Sequence, residues 1–144
     1  MKLDEGPRLM VIKTLVNSWA TTRRYHEDIQ LPCLFCALEF GDSLPHYLAC
    51  DTLWTLLVSA ASLRTSFLGA PPLTRACFSA PSVVGCSLLA GAFLVYHAIR
   101  RQHLDEALAA IAAGDLSPTH CLVLELAKFH YASIDVFQHE HERG

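Results

Sequence analysis

Leu31-Pro32-Cys33-Leu34-Phe35-Cys36, followed by Asp42-Ser43-Leu44-Pro45-His46-Tyr47-Leu48-Ala49-Cys50 and then Leu53-Trp54, is the stretch on which the rest of this 144-residue chain is read. It sets out four soft or borderline donors as Cys33-x2-Cys36-x9-His46-x3-Cys50. A tetrahedral Zn²⁺ takes such donors at about 2.0–2.3 Å. A C-x2-C turn aims two thiolates at one point, and two residues four apart on a helix, as His46 and Cys50 are, share a face. Ser43 is a good N-cap for that helix, and Pro45 is tolerated in a first turn, where the backbone N–H has no intrahelical partner. A compact loop over 33–43 and a helix over 44–61 are therefore expected to clamp one metal ion. Four protein ligands would leave no open position for water or substrate, so the zinc is expected to be structural. Its binding free energy then becomes folding free energy, on the order of 10 kcal/mol in comparable peptides. Cysteine is also often a small buried hydrophobe. That reading is given to Cys77, Cys86 and Cys121, which have no partner at ligand spacing.

Outward from this stretch the apolar residues recur at helical spacing. Leu9, Ile12, Leu15, Val16 and Trp19 fit a 3.6-residue period over 8–20. The polar run 21–32 is read as a short helical turn or a loop, and 62–81 as mostly connection, with one turn around 73–78. A long apolar helix is expected over 82–103. It is followed by a helix or its continuation over 105–113, stopped by Gly114. Ser117-Pro118 reads as N-cap and first residue of a last helix carrying Leu122, Leu126, Phe129, Ala132, Ile134 and Phe137. No strand pattern or internal repeat is present. The expected fold is mainly α, a small helical bundle with a CCHC zinc module between the first helices. The division is 1–61, helix plus zinc module, and 62–144, a bundle segment packing on it in the same domain.

Composition narrows the function. Hydrophobic residues make up 52% of the chain and charged residues 17%, which supplies a core and excludes disorder over most of the length. The net charge of −3 excludes a broadly basic surface that would hold nucleic acid by charge alone. Basic residues outnumber acidic ones only in 51–103, four against one, whereas 104–144 holds two basic and seven acidic groups. The N-terminus, Met1-Lys2-Leu3-Asp4-Glu5-Gly6-Pro7, is charged at once and lacks the apolar region that export needs. Reduced thiols and an intracellular setting are expected, which favours metal over disulfides. Residues 83–99 carry no formal charge over 17 positions. This is the lower edge of a membrane span, but Gly85, Ser87, Gly91, Tyr96 and His97 dilute it and a core helix is the preferred reading. His139-Glu140-His141-Glu142 has its histidines two apart, off any shared helix face, and reads as a solvated tail. His97, His103, His120 and His130 are scattered, and no catalytic constellation stands out.

The residues quoted at the start resemble the C-terminal zinc-binding domain of non-LTR retrotransposon reverse transcriptases. In that family a Cys pair is followed by an acidic residue, Ser or Thr, and a His-x3-Cys helix with an aromatic shortly after. The approach Leu15-Val16-Asn17-Ser18-Trp19-Ala20-Thr21-Thr22-Arg23-Arg24 is similar to the helix leading into that finger. The family usually places Gly soon after the second Cys, where this chain has Ala37 and Leu38. The palm residues and metal-binding acids of a reverse transcriptase are missing, so the likeness is to the tail of such a protein. It implies contact with RNA or DNA, a polymerase or other protein partner, and a nuclear setting. Read from the residues alone, Arg23, Arg24 and Tyr25 combine two charges with a stacking ring just before the zinc loop. The preferred reading from the residues alone is a solvated helix end, where cations favour the helix dipole. The expectation is a non-catalytic binding module. Its alternatives are an orphan structural or protein-interaction domain, or a small membrane protein.

Overall fold

The computed structural model describes residues 19, 21, 22, 25, 29–62 and 83–132. Among these residues the chain is mainly helical, with five helices and no strand. They are α1 (Leu44–Ala49), α2 (Asp51–Ala60), α3 (Val83–Gln102), α4 (Leu104–Ala113) and α5 (Ser117–Tyr131). The expected helix over 8–20, apart from Trp19, and the expected connection over 62–81, apart from Ser62, lie outside the described residues. So do Ile134, Phe137 and the histidine-rich tail.

The helix expected over 44–61 is two helices. Ser43 caps α1 as anticipated, its hydroxyl accepting the His46 backbone N–H at 3.4 Å. At Cys50 the backbone turns extended, with φ −72° and ψ 98°, and α2 restarts at Asp51. An interrupted helix leaves carbonyls at its C-terminus without amide partners. Here the Trp54 indole N–H reaches back to the Tyr47 carbonyl at 2.9 Å. Asp51 in the first turn of α2 complements the positive end of the new helix dipole. Trp54 thus supplies a hydrogen bond as well as apolar bulk, which permits the break.

The ends of the later helices follow local chemistry. Gly114 stops α4 in the left-handed conformation, φ 71°, with its N–H on the Ile111 carbonyl and the Asp115 N–H on the Ala110 carbonyl. α4 is separate from α3, the joint falling at His103. α5 begins one residue earlier than expected. Ser117 is already helical, and the Asp115 carboxylate accepts its N–H at 3.0 Å.

α2 packs against α3 and α5, and α4 closes on the same pair. The buried stripe of α5 is Thr119, Val123, Ala127 and Tyr131, not the Leu122–Leu126–Phe129 line expected from sequence. Leu122 and Leu126 are half-buried, and Phe129 is 87% exposed. Residues four apart form the ridge that enters a neighbouring helix groove, and small side chains on it allow close approach. The approach is close at Gly91 of α3, where an added Cβ would overlap the Tyr131 hydroxyl. That hydroxyl donates to the Leu88 carbonyl at 3.1 Å. α3 is buried on most sides, through Leu88, Leu89, Ala92, Phe93, Val95, Tyr96 and Ile99, while Leu94 reaches solvent. No helix among the described residues is long and apolar enough to cross a membrane. The membrane reading of 83–99 finds no support in α3.

A buried carboxylate ties the cysteine-bearing end to this core. Asp42 is fully buried and accepts three hydrogen bonds, from the Thr22 backbone N–H (2.8 Å), the Tyr47 hydroxyl (2.6 Å) and the Tyr96 hydroxyl (2.8 Å). Trp19 stacks on both tyrosines, at ring-centroid distances of 5.9 Å and 5.3 Å. A buried charge survives only when it is well hydrogen-bonded. Burial, then the Asp42 charge, pushes the Tyr47 phenol well above its ordinary pKa, so it remains a donor. Asp42→Asn would leave one oxygen for three donors, so either the Thr22 N–H or the two tyrosine hydroxyl protons would face an amide NH2 instead of an acceptor. The expected loss is about 2–4 kcal/mol of stability, read as a lower urea midpoint at unchanged slope.

Candidate metal centre

The loop 33–42 is wound tightly by its own backbone. Ala37 N–H donates to the Cys33 carbonyl, and Cys33 N–H and Gly41 N–H both donate to the Leu38 carbonyl, each at 3.0 Å. Gly41 is required by space, because a Cβ there would sit 2.8 Å from Leu38 O and 3.0 Å from Cys33 Cβ. The turn after Cys36 forms without glycine. Ala37 takes φ 65° and Phe40 φ 58°, both in the left-handed region. An L side chain there carries a penalty of roughly 1–2 kcal/mol.

This winding brings the four sequence-picked donors together. The ligand atoms of Cys33, Cys36, His46 and Cys50 all lie within 4.8 Å of one another. Cys33 Sγ and Cys50 Sγ are 3.8 Å apart, and Cys36 Sγ and His46 Nε2 are 3.3 Å apart. A regular tetrahedron with Zn–S of about 2.3 Å and Zn–N of about 2.0–2.1 Å has S···S edges of about 3.8 Å and S···N edges of about 3.5 Å. The cluster has the donor set and the size of a closed four-ligand metal site. The break at Cys50 suits this geometry, since the extended residue brings its sulfur to Cys33 at the very point where α1 ends.

The sulfurs are also prepared for charge. Cys33 Sγ accepts the backbone N–H groups of Phe35 and Cys36, each at 3.4 Å. Cys33 and Cys50 share a proton. The hydrogen bond between them, followed by burial and the Cys50 charge, raises Cys33, and the same bond lowers Cys50 to about 6. Burial raises Cys36, offset in part by the Leu38 backbone N–H. A metal must therefore displace protons from Cys33 and Cys36, whereas Cys50 is already a thiolate in mild base.

The remaining candidates divide. Tyr25 is 55% exposed. Arg23 and Arg24 lie outside the described residues. Cys86 is buried in the core as expected, Cys121 is exposed rather than packed, and Cys77 lies outside the described residues. One residue beside the site had no signal in the sequence. His120, on α5, places Nε2 2.8 Å from the Phe35 carbonyl between the first two cysteines, across 85 residues of chain. Comparison with family models, curated proteins and solved structures returned no match to this chain.

Two outcomes are expected. Ala37→Gly relieves the left-handed strain and should tighten metal binding by about 1 kcal/mol, roughly fivefold, in a chelator competition. At pH 8, zinc titrated into weakly buffered protein should release about two thiol protons per ion. Affinity then rises with pH, because protons and metal compete for the same sulfurs. Release of no protons would contradict the assigned thiol states.

Proposed function

We propose that this protein is a non-catalytic binding module organised by one structural Zn²⁺ on Cys33, Cys36, His46 and Cys50. The observation that carries the reading is the convergence of three sulfurs and one imidazole nitrogen within 4.8 Å, with the Cys33–Cys50 and Cys36–His46 separations, 3.8 Å and 3.3 Å, close to tetrahedral edge lengths. All four positions around the ion are protein side chains, so bound zinc supplies cohesion rather than a reactive water. The cation neutralises the thiolates, fixes the 33–42 loop against α1, and so holds Asp42 where Tyr47 and Tyr96 meet it.

The module's partner, in this reading, is RNA or DNA. The support is the resemblance of residues 9–58 to the C-terminal finger of retrotransposon reverse transcriptases. Added to it is an exposed ring, Tyr25, next to Arg23 and Arg24 in sequence. Phosphate contact by the arginines and stacking by the tyrosine suit an unpaired strand. A nuclear setting and a polymerase partner come from the same resemblance. A second reading, a protein-interaction module, draws on a different observation. Leu94, Ala98, Leu126 and Phe129 line an apolar depression of about 640 Å³ between α3 and α5.

Metal analysis of the purified protein should give one zinc per chain. Cys36→Ser should lose it and loosen the 33–62 region, seen as lower helicity and a lower melting temperature. A variant that keeps both would mean that zinc is not the organiser. Filter binding to single-stranded RNA and DNA across a salt series should show affinity falling with salt, and Arg23→Ala/Arg24→Ala should flatten the slope. No binding at low salt would favour the protein-interaction reading.

A further inference from the structure

The peptide group between Phe35 and Cys36 is held at both ends. Its carbonyl oxygen lies 2.8 Å from His120 Nε2, and its N–H donates to Cys33 Sγ at 3.4 Å. In a trans peptide the C=O and N–H point to opposite sides. The imidazole therefore grips one edge of the plane while the sulfur takes the other. A carbonyl can only accept, so His120 Nε2 carries the hydrogen. The resulting chain is His120 Nε2–H to Phe35 C=O, through the peptide, to Cys36 N–H and on to Cys33 Sγ. Such chains polarise one another, and partners outside the ligand shell fix the orientation and basicity of the ligands inside it.

We infer that His120 is a positioning residue for the metal centre. It locks the Phe35–Cys36 peptide so that the Cys36 N–H stays aimed at the Cys33 thiolate, and it couples the metal loop to α5. This rests on the zinc reading above. His120 touches no ligand atom and acts through the peptide alone. Its neighbours on α5 fit that role. Thr119 and Val123 are buried in the helical interface and hold that face of the helix in place, while His120 is half-buried beside the loop. No other hydrogen bond from α5 reaches the 33–42 loop among the described residues, so the imidazole is the link from this helix to the metal site.

The test compares zinc affinity, by chelator competition, in the full chain and in two variants. His120→Phe removes the donor and keeps a ring, and should weaken zinc about 10–100-fold. His120→Gln carries an amide donor near the Nε2 position and should recover most of that loss. In the metal-loaded protein, amide exchange at Cys36 should speed up in His120→Phe and return toward normal in His120→Gln. A purely structural role for the side chain would not produce that residue-specific change. Should the Phe variant fail to fold, ¹⁵N spectra of the unaltered protein still decide. The proton must sit on Nε2 of His120, and the opposite tautomer overturns the inference. It is overturned as well if His120→Phe binds zinc like the parent, or if a folded His120→Gln is as weak as the Phe variant. In either case the parent's tight zinc binding leaves the metal reading standing. A parent that binds no zinc ends both, and metal analysis shows this before any variant is made.

Discussion

Three sulfurs and an imidazole nitrogen sharing a space only 4.8 Å across form an arrangement able to hold one metal cation. Without one, two thiolates at 3.8 Å repel, and the chain compensates by leaving a proton between Cys33 and Cys50. With one, the same proximity becomes mutual attraction to a common centre. The loop from 33 to 42 has its own hydrogen bonds, but two of its residues sit in the left-handed region against their steric preference. Such strain persists only where the surroundings over-determine the backbone. In the zinc reading proposed above, four bonds to one ion would supply that constraint.

From that point order spreads inward through Asp42, six residues past Cys36. Its carboxylate gathers Thr22, Tyr47 and Tyr96, and so joins the segment before the loop, the first helix after it, and the long helix α3. The stacked rings of Trp19, Tyr47 and Tyr96 shield this charge from water. Shielding strengthens each hydrogen bond and raises the penalty for losing any one. The metal end and the helical core thus share one buried polar node, and His120 adds a second tie from α5 to the loop.

Much of this was legible in the sequence where the physics is local. Cysteine spacing of two and histidine–cysteine spacing of three identified the donors, because short spacing limits where side chains can point. Ser43, Pro45 and Gly114 marked helix ends, because caps and left-handed stops are decided within a few residues. The helix break at Cys50 escaped the same reasoning. Residues 44–60 have unbroken helical periodicity, and it takes the Trp54 indole to satisfy a carbonyl that the break frees. The buried face of α5 was misplaced for a related reason. Leu122, Leu126 and Phe129 are more apolar than Thr119 and Ala127, but the space beside Gly91 and α2 admits small residues and the Tyr131 ring.

By itself the sequence determined the helical class, the four candidate ligands, and the punctuation of the later helices, since each is written in residues that are neighbours along the chain. Only the tertiary structure decided that Tyr96 would meet Asp42 across 54 residues and that His120 would meet Phe35 across 85. Neither contact has a spacing to read. Both depend on how helices with interchangeable apolar faces settle against one another, and that is fixed by volume and hydrogen-bond satisfaction in the assembled core rather than by any local pattern.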